Sequence, residues 1–141
     1  MTRQAKVRWA GDMTFIGESP SGHSVLMDSG SESGGLDHAI RPMEMLLLGA
    51  GGCASIDVVM ILKKARQDIK DVWVELDGER AEEMPKYFTK IHMHFVVEGK
   101  NISEKHVERA IQLSMDKYCS ASAQLAALAN ITTDFEIREV D

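Results

Sequence analysis

Arg41-Pro42-Met43-Glu44-Met45-Leu46-Leu47-Leu48-Gly49-Ala50-Gly51-Gly52-Cys53-Ala54-Ser55-Ile56-Asp57-Val58 is the stretch on which the fold turns. Pro42 suits the first position of a helix, where its missing N–H costs nothing. From there Met43, Leu46, Leu47, Ala50, Ala54, Val58, Ile61 and Ala65 recur at helical spacing, and the positions between them stay apolar as far as Leu62. A helix apolar on every side must be covered on every side, so its first two-thirds is expected to be buried nearly all round. The tail Lys63-Lys64-Ala65-Arg66-Gln67-Asp68 is solvated. The charge-free run from Met45 to Ile56 spans only 12 residues between Glu44 and Asp57, too few to cross a bilayer, so no membrane partner is expected.

Three features of this helix ask for an explanation. Gly51 and Gly52 each cost about 1 kcal/mol in a helix interior relative to alanine, a cost that close approach of another backbone or of a substrate would offset. Cys53 follows them directly. Asp57 lies one turn further on and Glu44 nine residues earlier, and a carboxylate on a buried helix needs a hydrogen-bonding or cationic neighbour. A polar site buried beside a thiol is a candidate functional site.

Working outward, Ala5, Val7 and Trp9 alternate with Lys6 and Arg8 as in a strand. Two more short strands, Thr14 to Gly17 and His23 to Met27, flank the turn Ser19-Pro20-Ser21-Gly22. Residues 28–40, rich in Gly, Ser and acid, read either as a mobile cover over a site or as an ordinary surface loop. After the helix, Val72, Val74 and Leu76 alternate with Trp73, Glu75 and Asp77, and Ile91, Met93, Phe95 and Val97 alternate with His92, His94 and Val96. Glu82-Glu83-Met84-Pro85 turns between these two strands. Ser103 can N-cap a helix whose inner stripe is Val107, Ala110, Ile111, Ser114, Met115 and Tyr118. A shorter helix from Ala121 to Ala129 is expected to stop at Asn130, before a closing strand through Ile131, Thr133, Phe135 and Ile137. The expected fold is α+β, in the order βββ-α-ββ-αα-β, as one domain over residues 1–141.

Composition narrows the function. With 141 residues, 44% hydrophobic and 27% charged, the chain reads as globular, and its net charge of -6 leaves no basic stripe for nucleic acid. The N-terminus Met1-Thr2-Arg3-Gln4-Ala5-Lys6-Val7 has no apolar signal segment, which points to the cytoplasm. There, two cysteines are reduced by default, so a structural disulfide is not expected. His92 and His94 share a strand face as a metal pair can, but spacing fixes no third ligand, and neither metal nor cofactor is expected. His23 and His38 read as surface residues. Gly49-Ala50-Gly51-Gly52 lacks the phosphate-loop lysine, and the nine methionines read as core filler.

Cys119 stands between two helices, at the entrance to the second. Amide groups at a helix N-terminus lower a thiol pKa and raise its thiolate fraction. Free cysteine is also among the most buried residue types, so the spacing alone favours two inert core thiols and leaves the function open.

The quoted run resembles the first-cysteine motif of the OsmC/Ohr family, and Asp116-Lys117-Tyr118-Cys119-Ser120 resembles its second-cysteine motif. The match is closest to the subgroup with Pro-Met-Glu-Met before Gly-Gly-Cys, and the element order agrees along the whole chain. The resemblance implies an intertwined homodimer with two sites at the subunit interface. It implies that Cys53 is the peroxidatic thiolate attacking an alkyl or fatty-acid hydroperoxide and Cys119 the resolving thiol. An external dithiol, such as a lipoyl group, would then reopen their transient disulfide. Glu44 is carried over as the catalytic carboxylate, with Arg41 and Asp57 in support. Two departures accompany it. In the family's peroxidases the glutamate directly follows the proline, where this chain has Met43, and one residue on a helix is a rotation of about 100°. Those enzymes also use an arginine from the N-terminal strand region, whereas this chain has Arg8 and then none until Arg41. A family member that binds a small apolar or thiol-reactive ligand without catalysis, and a redox sensor, are the alternative functions.

Overall fold

A computed structural model describes residues 4–141. The chain forms two compact units, one ending at Leu46 and the other running from Leu47 to Asp141. In the first, β1 (Lys6–Trp9), β2 (Phe15–Glu18) and β3 (Ser24–Met27) pair as an antiparallel meander. The loop after β3 is organised by Asp28, which is buried and accepts amide N–H groups of Ser29, Leu36 and His38 at 2.7, 3.1 and 3.4 Å. Burial pushes the Asp28 carboxyl up, but these amides and the His38 ring 3.2 Å away hold it below the ordinary aspartate range. His38, expected to be a plain surface residue, also bonds Thr14 at 2.8 Å. The segment is therefore a loop fastened around one carboxylate, with Ile40 bridging back to Met27.

Helix α1 (Pro42–Lys64) starts at the proline as expected. In the second unit, β4 (Asp68–Arg80) and β5 (Phe88–Lys100) form a long antiparallel hairpin, and β6 (Asn130–Glu139) joins β5 in parallel. The crossover between β5 and β6 carries α2 (Glu104–Leu113), a π-turn at Ser114–Tyr118 and the short α3 (Ser120–Leu125). The order βββ-α-ββ-αα-β is the one expected. Several boundaries differ, among them the end of α3 at Leu125 rather than Ala129. Both hairpin strands run to 13 residues, beyond their alternating centres, because pairing continues through polar positions. Asn130 begins β6 rather than ending a helix, since its position opposite Lys90 is already part of the parallel ladder.

Gly51 shows how α1 meets the sheet. A Cβ built there would lie 2.7 Å from Leu76 Cδ1 and 3.3 Å from Val74 Cγ1, so the helix backbone presses directly on β4. Gly51→Val is expected to lower stability by about 2 kcal/mol, the usual penalty for overpacking, measured by chemical denaturation. An unchanged midpoint would show that the helix does not press on the strand as described.

Burial all round α1 is not what one chain provides. Ala50, Gly51, Ala54, Val58 and Leu62 are buried on one face, while Leu48 and Ile56 on the other are 61% and 62% exposed. At 23 residues α1 is long and apolar enough to cross a membrane, so the expectation of a run too short to span does not hold on length. Its contact with β4 and the bonded carboxylate described below are those of a helix built into a packed core.

The outer face of the sheet is polar and ordered. His94 has a carboxylate on each ring nitrogen, Asp134 on Nδ1 at 2.7 Å and Glu136 on Nε2 at 3.0 Å. A ring bonding two carboxylates must donate from both nitrogens and is therefore the imidazolium. Accordingly its pKa is raised above the usual 6.5 by Glu136 and Asp134, while Asp134 is lowered chiefly by His94, and Glu136 by Arg138 and then His94. The histidine contribution is complete below its unfolded value and disappears as pH rises through its folded one. The carboxylate contribution is complete above their unfolded values and disappears as pH falls through the lowered ones. The stability difference between wild type and His94→Asn is thus expected to be greatest at about pH 5 to 6 and to shrink above pH 7. A thermal-melt difference that stays flat from pH 5 to 8 would contradict the imidazolium.

Candidate active site

The site is assembled by two antiparallel helices and the turn that follows the second. Gln67, just past α1, accepts the Ser103 amide at 2.8 Å, and the Ser103 hydroxyl caps α2 by accepting from the His106 amide at 3.4 Å. At the other end of α2, the buried Ser114 donates its hydroxyl to Asp57 Oδ2 at 2.9 Å. The carboxylate predicted to need a partner on α1 has found one. Because the start of α2 lies by the end of α1, and its end by the middle of α1, the two helices run in opposite directions.

The chain then widens into the π-turn, in which the Cys119 amide donates to the Ser114 carbonyl five residues back at 2.7 Å. Single π-turns of this kind often mark functional positions. Here the turn ends the helix and sets Cys119 as the cap of α3, with its sulfur accepting from the Ser122 amide at 3.3 Å. The same sulfur lies 3.0 Å from Ser122 Oγ and 3.9 Å from the Ala50 carbonyl of α1. Ala50 is one turn before Cys53, so the two cysteines lie on neighbouring turns of the same site, and Cys53 is one of the groups that raise the Cys119 pKa. Both cysteines are free thiols, Cys119 only 3% exposed and Cys53 half-buried.

The expected lowering of the Cys119 pKa is reversed. Burial pushes the thiol up, the Ser122 hydroxyl and amide pull it down, and Cys53 pushes it up again, with a net rise above the usual value. The amide donor foreseen at the helix entrance is present, but desolvation of a nearly enclosed sulfur outweighs it.

Glu44 and Arg41 belong to the first unit and are engaged there. Glu44 accepts the Arg41 amide at 2.9 Å, closing the first turn of α1, and the Arg41 guanidinium pairs with Asp37 at 2.8 Å. The structure thus joins Asp57 with Ser114, and sets the Cys119 sulfur against the Ala50 carbonyl one turn before Cys53. Ser114 and Ser122 were not named as site residues, although each left a signal. Ser114 is a polar member of an otherwise apolar inner stripe, and Ser122 stands three residues beyond a capping position. Among the described residues no group of three or more His, Cys, Asp and Glu side chains is disposed to hold a metal ion.

The family profile described as "OsmC-like protein" matches residues 34–134, a span that includes both cysteines and the turn between α2 and α3. The chain belongs to the OsmC-like family. It is 49% identical over 134 residues to Protein YhfA of Escherichia coli K12, covering 95% of this chain and 97% of that one. A solved structure from Aquifex aeolicus VF5 is 30% identical, with a TM-score of 0.86 over 100% of this chain and 99% of that one. An organic hydroperoxide resistance protein OsmC from Legionella pneumophila shares the fold, with a TM-score of 0.73 at 14% identity over 96% of this chain and 97% of that one. These likenesses run over nearly the full length of each chain, so both units of the present chain share the fold of the two solved structures.

Proposed function

We propose that this OsmC-like protein reduces organic hydroperoxides with its two thiols, in peroxide-stress defence in the cytoplasm. The observation that carries this reading is a pair of free thiols in unequal surroundings, Cys53 half-buried on α1 and Cys119 enclosed with its sulfur 3.9 Å from the Ala50 carbonyl one turn before Cys53. Membership of the OsmC-like family and the shared fold with an organic hydroperoxide resistance protein support it. The Cys53 thiolate attacks the O–O bond, cleaving it to give Cys53 sulfenic acid and an alkoxide, which takes a proton from water and leaves as the alcohol. The Cys119 thiol then attacks that sulfur, forming the Cys53–Cys119 disulfide and releasing water. An external dithiol, a lipoyl group in the simplest case, returns both thiols by exchange and is itself oxidised to a disulfide. A Cys119 kept protonated by burial suits the second step, because it does not compete for peroxide before Cys53 has reacted.

The working species in this reading is a homodimer. Leu48, Gly52 and Ile56 form an exposed apolar stripe on α1, and a Cβ at Gly52 would meet nothing within 4 Å. Covering Leu48 and Ile56 is worth about 2 kcal/mol each, which favours a second copy of the same helix. Cys53 stands at the margin between this stripe and the buried face, so the partner would complete the pocket around it.

Stopped-flow mixing of reduced protein with cumene hydroperoxide tests the reading. Oxidation several orders of magnitude faster than for free cysteine is expected, and a rate equal to free cysteine would refute it. The second reading, a ligand-binding protein without catalysis, draws on Arg41 being paired with Asp37 and Glu44 with a backbone amide. It would be favoured by that refuting result together with a bound small molecule in native mass spectra.

A further inference from the structure

Ser122 is 3% exposed and turns its hydroxyl to a single protein atom, the Cys119 sulfur. The thiol donates to Ser122 Oγ at 3.0 Å, and the Ser122 amide donates to the sulfur at 3.3 Å. That amide belongs to the capped first turn of α3 and would be offered by any residue at 122 except proline. The hydroxyl would not. Among the described residues it has no second partner, so its own proton is uncommitted. A hydroxyl both accepts and donates, and it rotates to suit its neighbour. It accepts from the sulfur while the sulfur is a thiol, and donates to it once the sulfur is a thiolate. Ser122 also lines a cavity of about 400 Å3 with Ala123, Ala126 and Thr133, so loss of its oxygen costs the packing little.

An enclosed sulfur has few other ways to hold charge. Burial raises the Cys119 pKa, and the Ser122 hydroxyl and then its amide act against that rise, to which Cys53 adds. Of the charged side chains on the flanking segments, Asp57 is bonded by Ser114, Asp116 by Gln112, and Lys117 lies over the Tyr118 ring. We propose that the Ser122 hydroxyl is a catalytic residue of the second half of the thiol cycle, holding the charge on the Cys119 sulfur whenever that sulfur attacks or leaves. This rests on the resolving role of Cys119 in the hydroperoxide reading. In the attack, the Cys119 thiolate bonds to the sulfur of Cys53 sulfenic acid and the S–O bond breaks. The departing hydroxide gains the proton that Cys119 lost and leaves as water. In the reopening, an external dithiol attacks Cys53, the more exposed of the two sulfurs, and breaks the S–S bond. Cys119 leaves as the thiolate and takes back a proton given up by the dithiol, whose second sulfur then displaces Cys53. One hydroxyl serves closure and reopening, because both pass through the same charged sulfur.

Cys53→Ser, with Cys119 as its single cysteine, separates the titration from Cys53 and from any peroxide. The Cβ resonance of isotope-labelled Cys119 is followed against pH in this background and in Cys53→Ser/Ser122→Ala. Loss of a hydrogen bond to a charged group should move the midpoint up by about one pH unit, a roughly 10-fold smaller thiolate fraction at neutral pH. Ser122→Thr, which keeps the hydroxyl, should restore it. The same midpoint with alanine as with serine, or a threonine variant that titrates like alanine, would overturn the assignment. The kinetic arm keeps both cysteines. In Ser122→Ala the sulfenic acid formed by cumene hydroperoxide should close to the disulfide about 3-fold more slowly, since the weaker acid is the better nucleophile and regains part of the loss. The disulfide prepared instead with diamide should be reopened more slowly by dihydrolipoamide. Closure and reopening at wild-type rates would also overturn the assignment. If hydroperoxide leaves Cys53 untouched while the alanine titration shifts and the diamide-made disulfide reopens slowly, the reductase reading fails and the role of Ser122 at the sulfur stands.

Discussion

Cys53→Ser is expected to lower the rate of hydroperoxide reduction by at least about 10³-fold, because a serine hydroxyl cannot supply the attacking thiolate. Cys119→Ser should behave differently. Its first turnover is expected to proceed at nearly the wild-type rate, stopping at Cys53 sulfenic acid, which a dimedone-type trap would capture. Steady-state turnover with a dithiol should fall, and excess peroxide should carry Cys53 on to sulfinic acid, a product the wild type avoids by closing its disulfide. The asymmetry follows from the surroundings of the two sulfurs. Cys119 is held by Ser122 in a nearly dry pocket and its pKa is raised, so it waits as a thiol. A serine at 119 that abolished the first oxidation as completely as serine at 53 would reverse the assigned roles.

Ile56→Glu should have the second large effect. Ile56 is 62% exposed in the single chain and sits one turn from Gly52 on the open stripe of α1. For an isolated chain this substitution exchanges an exposed apolar side chain for an exposed polar one and alters stability by less than about 0.5 kcal/mol. In a dimer that covers the stripe it buries an unpaired carboxylate, and association should weaken by about 100-fold or more. Sedimentation at micromolar concentration would then show dimer for the wild type and monomer for the variant, with peroxide reactivity lost alongside. A wild type that sediments as a monomer, or a variant dimer of unchanged affinity, would rule out α1 as the interface.

The helical run from Pro42 and the alternating strands were legible because each carries its own periodicity, 3.6 residues in α1 and 2 in β4 and β5. The boundaries were harder to read. Polar residues such as Asp68, Asp71 and Arg80 extend the strands by backbone pairing, which depends on a neighbour and leaves no mark in side-chain pattern. In the same way Asn130, a common helix stop, is recruited by the ladder with β5. Burial of α1 was overestimated for one chain, since an all-apolar helix states that it must be covered without stating by what.

Within the site, the cysteines were legible from the resemblance of their motifs, and the need of Asp57 for a partner from electrostatics alone. That the partner is Ser114 depends on the antiparallel packing of α2 against α1, a contact 57 residues apart in sequence. The direction of the Cys119 pKa could not be read from its helix-entrance position, because amide donation and burial act with opposite sign and only the fold sets their balance.

The proposed hydroperoxide reduction depends on the sulfurs of Cys53 and Cys119 reacting with each other. Reduced protein should be treated with one equivalent of organic hydroperoxide, quenched in acid, digested without reductant and mapped by mass spectrometry. The expected product is a cross-linked peptide pair joining Cys53 to Cys119, with the intact chain lighter by two hydrogens and restored by a dithiol. Cys53 recovered as sulfinic or sulfonic acid beside an untouched Cys119 thiol, with no cross-link formed, would contradict it.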